Sequence, residues 1–277
     1  MRRRLHIRQF IVISLLIIII VILLFPFLWM LSTSLKPPEE TFAPEPRWIP
    51  EDPTLQNFNY ILKETSFPRY FLNSVLVASV TMMLVLVATV FAGYALSRYK
   101  FRGKQVFSLW LLVSQMFPPV LLVIPIFVII LNLRLYNTYT ALIMTYGTFA
   151  LPFSTWMMRS YFDTVPLDLE EAAMVDGCTR LQALARIVLP LAAPGIATVA
   201  LFVFILAWQE YMFALTLTRT TEMRTLTVGI SLFLGEYRVL WGSLMAGSVV
   251  VTIPVIVLFS YLQRYLVQGL TLGAVKG

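Results

Sequence analysis

Six stretches of this chain carry no charged side chain over 23 to 29 consecutive residues: 9–35, 70–97, 105–133, 135–158, 187–209 and 239–263. About 20 apolar residues rising 1.5 Å each cross the hydrocarbon core of a bilayer, so every stretch is long enough to span. A bilayer offers no water to backbone N–H and C=O groups, and the alternating pattern of a membrane barrel is absent, which leaves helices. The stretches predict an all-α polytopic membrane protein, one transmembrane domain over 1–277 with spans at about 10–31, 70–97, 105–132, 138–158, 192–216 and 241–263. Only 13% of the side chains are charged, against roughly 25% in a soluble domain, so a water-soluble fold is excluded.

Several kinds of chemistry drop out with it. One cysteine, Cys178, excludes an internal disulfide, and one histidine, His6, excludes a multi-histidine metal site. The sequence holds no H-E-x-x-H and no G-x-S-x-G pattern, so an intramembrane enzyme has neither metal ligands nor a nucleophile elbow to work with. The net charge of +7 does not point to nucleic acid, because the basic residues sit beside the spans without an aromatic-basic recognition motif. They report topology instead. With Arg2, Arg3, Arg4 and Arg8 inside, six crossings put thirteen basic residues in the cytoplasm and eight outside, densest at Arg98, Lys100, Arg102 and Lys104. Both termini are then cytoplasmic, and the first run, too long for a signal core, reads as an uncleaved anchor. In the outer segment 32–69, Leu55, Phe58, Asn59 and Leu62 recur at helical spacing, which predicts a short amphipathic helix along the outer face.

The loop at about 160–190, between the fourth and fifth spans, carries more pattern than a connector needs. Pro166 suits a first helical turn, and Asp168, Glu170 and Glu171 place acid at the positive end of the helix dipole. Gly177 can close that helix in the left-handed conformation. Thr179 and Gln182 have capping-box spacing, and Leu181, Leu184, Ala185 and Val188 repeat helically until Pro190 is expected to stop the second helix. The hairpin is either a plain surface connection or a docking face, with Ala172 and Ala173 allowing close approach and a glutamate beside them able to meet a basic partner.

Glu171-Ala172-Ala173, Gly177 and then Ile187-Val188-Leu189-Pro190 resemble, with the spacing intact, the EAA loop of the membrane-spanning permease subunits of binding-protein-dependent ABC importers. The tail Gly269-Leu270-Thr271-Leu272-Gly273-Ala274-Val275-Lys276-Gly277 is similar to that of the smaller permease subunit of maltose-type sugar importers. So is Trp208-Gln209-Glu210 with Phe213-Ala214-Leu215, although asparagine is commoner than Gln209 there. The resemblance covers essentially the whole chain. It implies a coupling helix at about 166–176 seated in a cleft of a cytoplasmic ATPase, with Glu170, Glu171, Ala172, Ala173, Asp176, Gly177, Leu189, Pro190, Lys276 and Gly277 as docking residues and Glu171 foremost. It further implies two ATPase copies carrying the ATP and Mg, a second permease subunit, an extracytoplasmic sugar-binding protein, and residence in a prokaryotic cytoplasmic membrane. The chain itself would bind no cofactor, and it has no G-x-x-x-x-G-K-[ST] phosphate loop.

Within the spans the one formally charged side chain is Glu210. An intramembrane carboxylate is expensive and functional by default. Either it holds the bundle by hydrogen bonding, or it lines a carbohydrate path with Trp208, Gln209 and Tyr211. An ion-coupled carrier using Glu210 is the competing function. Pro118, Pro119 and Pro125 are expected to break or kink the third span.

Overall fold

A computed structural model describes the backbone of residues 2–43, 47–235 and 239–274, with side chains described chiefly over 12–43, 47–235 and 239–265. It is helical throughout, and no strand occurs among the described residues. The chain divides into two compact units, residues 1–68 with 230–253, and residues 69–229 with 254–277.

The first unit begins with α1 (Arg2–Ser34). No residue from Val12 to Ser32 is buried within the chain, and Ile17, Ile22 and Leu28 are each more than half exposed, whereas the last two residues of the helix, Thr33 and Ser34, are buried. A stretch apolar on every side and largely bare is suited to lipid. Short helices α2 (Pro38–Thr41) and α3 (Gln56–Asn59) follow, the latter running into a wide π turn, Tyr60–Glu64. The expected amphipathic helix is therefore present, but the face it buries is Asn57 and Ile61, whereas Leu55 and Leu62 point outward. The reason is polar: Asn57 Nδ2 donates to Ser34 O at 3.0 Å and Lys36 O at 2.8 Å, satisfying carbonyls left open where α1 ends.

The second unit is built on α4 (Phe67–Arg98), α7 (Tyr139–Asp163) and α11 (Ala193–Trp208). Val85, Met158, Phe162, Val188, Val199 and Val203 form their common core. The third apolar stretch is broken as its prolines predict: α5 (Lys104–Ser114) and the 3-10 turn with α6 (Val123–Asn132) meet at 92°. Pro118 and Pro119 cannot donate to the preceding turn, and the chain turns there. Helix α8 (Leu167–Val175) lies between the fourth and fifth apolar stretches. Beyond it, α9 (Arg180–Ala183), a π turn Leu184–Val188 and α10 (Leu189–Leu191) form one bent rod that meets α11 at 79°.

Two expectations are corrected here. Pro190 does not stop the second loop helix, which continues to Leu191 because the preceding π turn, with Leu189 N bonded to Leu184 O, absorbs the missing donor. The fifth span is not continuous to residue 216: α11 ends at Trp208 and α12 (Met212–Leu217) starts after a break. Helices α13 (Leu226–Ser231) and α14 (Trp241–Ala274) complete the order. Among the described residues, three unbroken helices are long and apolar enough to cross a membrane, and the two bent pairs bring the number to five.

In the second unit the loop between α12 and α13 is laced down. Asn73 Nδ2 donates to Glu222 O and Arg224 O, each at 2.8 Å, and Tyr139 Oη donates to Asn73 Oδ1 at 2.7 Å. The exposed Glu222 carboxyl is held below its ordinary range by hydrogen bonds from its own backbone and from Thr220.

Candidate coupling and translocation sites

Helix α8 starts after Pro166, whose extended backbone (ψ 134°) turns the chain into the helix, and has Asp168 and Glu170 in its first turn. It ends as the sequence predicts. Gly177 has φ +94°, and Asp176 N, Gly177 N and Cys178 N bond back to Ala172 O, Met174 O and Ala173 O at 3.0–3.1 Å. Thr179 and Gln182 form both bonds of the capping box. A Cβ at position 177 would meet nothing within 4 Å, so the demand for glycine is purely conformational. Gly177→Asn is accordingly expected to be tolerated better than the smaller Gly177→Ala, which should lose about 1–2 kcal/mol of local stability. Hydrogen exchange over residues 173–182 checks this; a more protected alanine variant would contradict it.

The two adjacent glutamates of α8 part company. Glu171 and Ala172 are exposed, as are Asp176, Leu169 and Val175, the last 87% exposed. Glu170 and Ala173, one helical turn apart on the opposite face, are buried. The side chain of Glu170 is 3% exposed and ion-paired with Arg98 Nε at the end of α4, while its second oxygen accepts from Tyr94 Oη at 2.8 Å. Arg98 also donates through Nη2 to Val165 O at 2.9 Å. Glu170, grouped with the docking residues in the sequence, is thus turned inward and fixes α8 to α4. Ala173 is likewise packed inside. Leu189 is partly buried and Pro190 exposed, while Lys276 and Gly277 lie outside the described residues.

At the other candidate site, the break between α11 and α12 is made by Glu210 itself. Its two carboxylate oxygens accept from Phe213 N at 2.8 Å and Ala214 N at 2.9 Å, capping α12, and its carbonyl accepts from Thr227 Oγ1 at 2.6 Å. The dipole and free N–H groups at a helix start are what make a carboxylate supportable there. Glu210, Gln209 and Tyr211 line a cavity of about 430 Å³ together with Pro119, Tyr146 and Phe149. That volume is in the range of small-molecule sites. Trp208 is not part of it: its ring is buried, stacked on Phe204 at 5.5 Å and edge-on to Phe71 at 5.9 Å, because it occupies the last turn of α11 before the break. Sequence reasoning missed Tyr146, a fully buried tyrosine on α7 whose hydroxyl lies beside the Glu210 carboxylate. No sequence signal separates it from the other tyrosines.

The family of binding-protein-dependent transport system inner membrane components matches residues 84–272. The trehalose/maltose transport system permease protein MalG of Thermococcus litoralis is 42% identical over 92% of this chain and 92% of its own. The diacetylchitobiose uptake system permease protein DasC of Streptomyces coelicolor is 38% identical over 92% of each. Among solved structures, a chain of a bacterial ABC transporter involved in the import of the acidic polysaccharide alginate superposes with a TM-score of 0.81 at 25% identity, covering 94% of this chain and 96% of that one.

Proposed function

The chain belongs to the family of binding-protein-dependent transport system inner membrane components, and on that premise we propose that it is a permease subunit of an ATP-driven importer for a di- or oligosaccharide. It forms half of the path with a second permease subunit, takes its cargo from an extracytoplasmic binding protein and is driven by two copies of a cytoplasmic ATPase. The sugar class is supported by the relatives, named for trehalose, maltose and diacetylchitobiose. The observation that carries the coupling role is the division of labour on α8: Glu170 is tied into the bundle while Glu171, Ala172 and Val175, ahead of the glycine corner, face outward. A short helix joined rigidly to the spans on one face and bare on the other suits a part that receives motion from a partner and passes it inward.

Six crossings fit the same reading, with three unbroken helices, two bent pairs and α7 as the sixth, its run relieved by Thr145, Thr148, Ser154 and Thr155. In that topology both termini and α8 are cytoplasmic, and the tail through Lys276 and Gly277 reaches the ATPase interface. Gln209, Glu210 and Tyr211, with Tyr146, offer the cargo amide, carboxylate and phenol groups between aromatic walls. The ion-coupled alternative loses ground because both Glu210 oxygens already hold the start of α12.

Purification in mild detergent tests the assignment. The chain is expected to bring down an ATPase pair and a second permease, with ATP hydrolysis rising when sugar-loaded binding protein is added; a lone chain that transports down an ion gradient would overturn it. In the same preparation Glu210→Gln replaces one acceptor oxygen by a donor facing a backbone N–H. It is expected to lower stability by about 1–3 kcal/mol and to impair uptake, and normal thermal unfolding would remove Glu210 from its capping role.

A further inference from the structure

The first unit holds a second cavity, of about 210 Å³, at the C-terminal end of α1, lined by Trp29, Thr33, Lys36, Glu40 and Trp241 among others. Three of these residues are poorly accounted for by packing. Lys36 is 3% exposed, and its ammonium has no carboxylate partner among the described residues. It donates to Arg47 O at 2.5 Å and stands 4.5 Å from the Trp29 ring centroid. A buried ammonium with no carboxylate beside it among the described residues is costly. Thr33 is 7% exposed and its hydroxyl has no hydrogen-bond partner among the described residues. Among the described residues the Glu40 carboxylate receives a single long bond, 3.4 Å, from Glu51 N. Around one small cavity stand a cation, an unused hydroxyl, a carboxylate with spare acceptor capacity and two indoles.

We propose that this cavity binds the headgroup of an amine-bearing membrane phospholipid. The phosphodiester oxygens meet Lys36 Nζ and Thr33 Oγ1, and the headgroup amine meets Glu40 and the indole faces. The surroundings suit an amphiphile rather than a free solute. Leu24, Phe25 and Leu28 are 50%, 46% and 60% exposed on α1 just before the cavity, giving acyl chains a track that leads to it. Phe25 and Trp29 pack on Trp48 at 5.1 and 5.0 Å, an aromatic cluster of the kind that lies at headgroup level. In the topology proposed above, this is the outer leaflet.

Native mass spectrometry of the assembled, delipidated complex titrated with dioleoylphosphatidylethanolamine tests the site. Lys36→Gln is expected to weaken binding of the tightest-held lipid by about tenfold or more, as loss of a charge-assisted hydrogen bond does. Thr33→Val, nearly isosteric and so little able to disturb folding, is expected to weaken it severalfold, and the exposed control Lys63→Gln not at all. Unchanged lipid retention in both cavity variants overturns the proposal, and so does displacement by millimolar inorganic phosphate, which marks a free-anion site, or by maltose, which marks a sugar site. ATP hydrolysis and uptake measured on the same samples report the importer assignment separately, so failure of one reading is distinguishable from failure of the other.

Discussion

Replacing Glu170 with leucine is expected to destabilise the protein by about 3–5 kcal/mol, because it strands the Arg98 guanidinium, whose side chain is 7% exposed, without its carboxylate. Arg98→Leu should do the same from the other side, leaving Glu170 with Tyr94 alone. The double variant Glu170→Leu/Arg98→Leu removes both charges at once and is expected to recover much of the loss, since a buried pair contributes far less than breaking it costs. Thermal unfolding of the four proteins closes a double-mutant cycle. Additivity within about 0.5 kcal/mol would mean that the two side chains are not coupled and that α8 is held by something else.

The second large effect is expected at the neighbouring position and leaves the fold intact. Glu171 is exposed and makes no ion pair among the described residues, so Glu171→Lys should insert and accumulate as the wild type does. Uptake should nevertheless be abolished. Reversing one member of an interfacial charge pair costs about 2–5 kcal/mol, which is roughly a thirty- to several-thousand-fold loss of docking to the ATPase. Restoration of transport by an opposite reversal of a basic residue on the ATPase would identify the contact. Wild-type uptake by the single variant would remove Glu171 from the interface. The contrast between the two glutamates is the informative result, one failing in folding and the other in coupling.

Much of this is legible in the sequence, for physical reasons. Uncharged length announces the membrane, and the glycine, threonine and glutamine of the loop at 160–190 announce their own caps, all of which form. The inward turn of Glu170 was within reach, since residues 170 and 173 share a helical face, but its partner Arg98 lies 72 positions away and read as one loop charge among four. The break after Trp208 gives no warning in the sequence, because it involves neither glycine nor proline and is made by a carboxylate that accepts from the backbone amides three and four residues ahead of it. The sequence groups Trp208 with its cavity-lining neighbours, whereas the last turn of α11 carries its ring away. Tyr146 and Lys36 acquire their meaning only from what the fold places around them.

The exposed length of the first helix bears on how the protein is made. A segment with no buried residue from Val12 to Ser32 owes most of its stability to lipid, so it can settle in the bilayer while the remainder is still being translated. The carbonyls at its far end then wait, hydrated, until Asn57 emerges to take them, which makes the order of synthesis and the order of assembly the same.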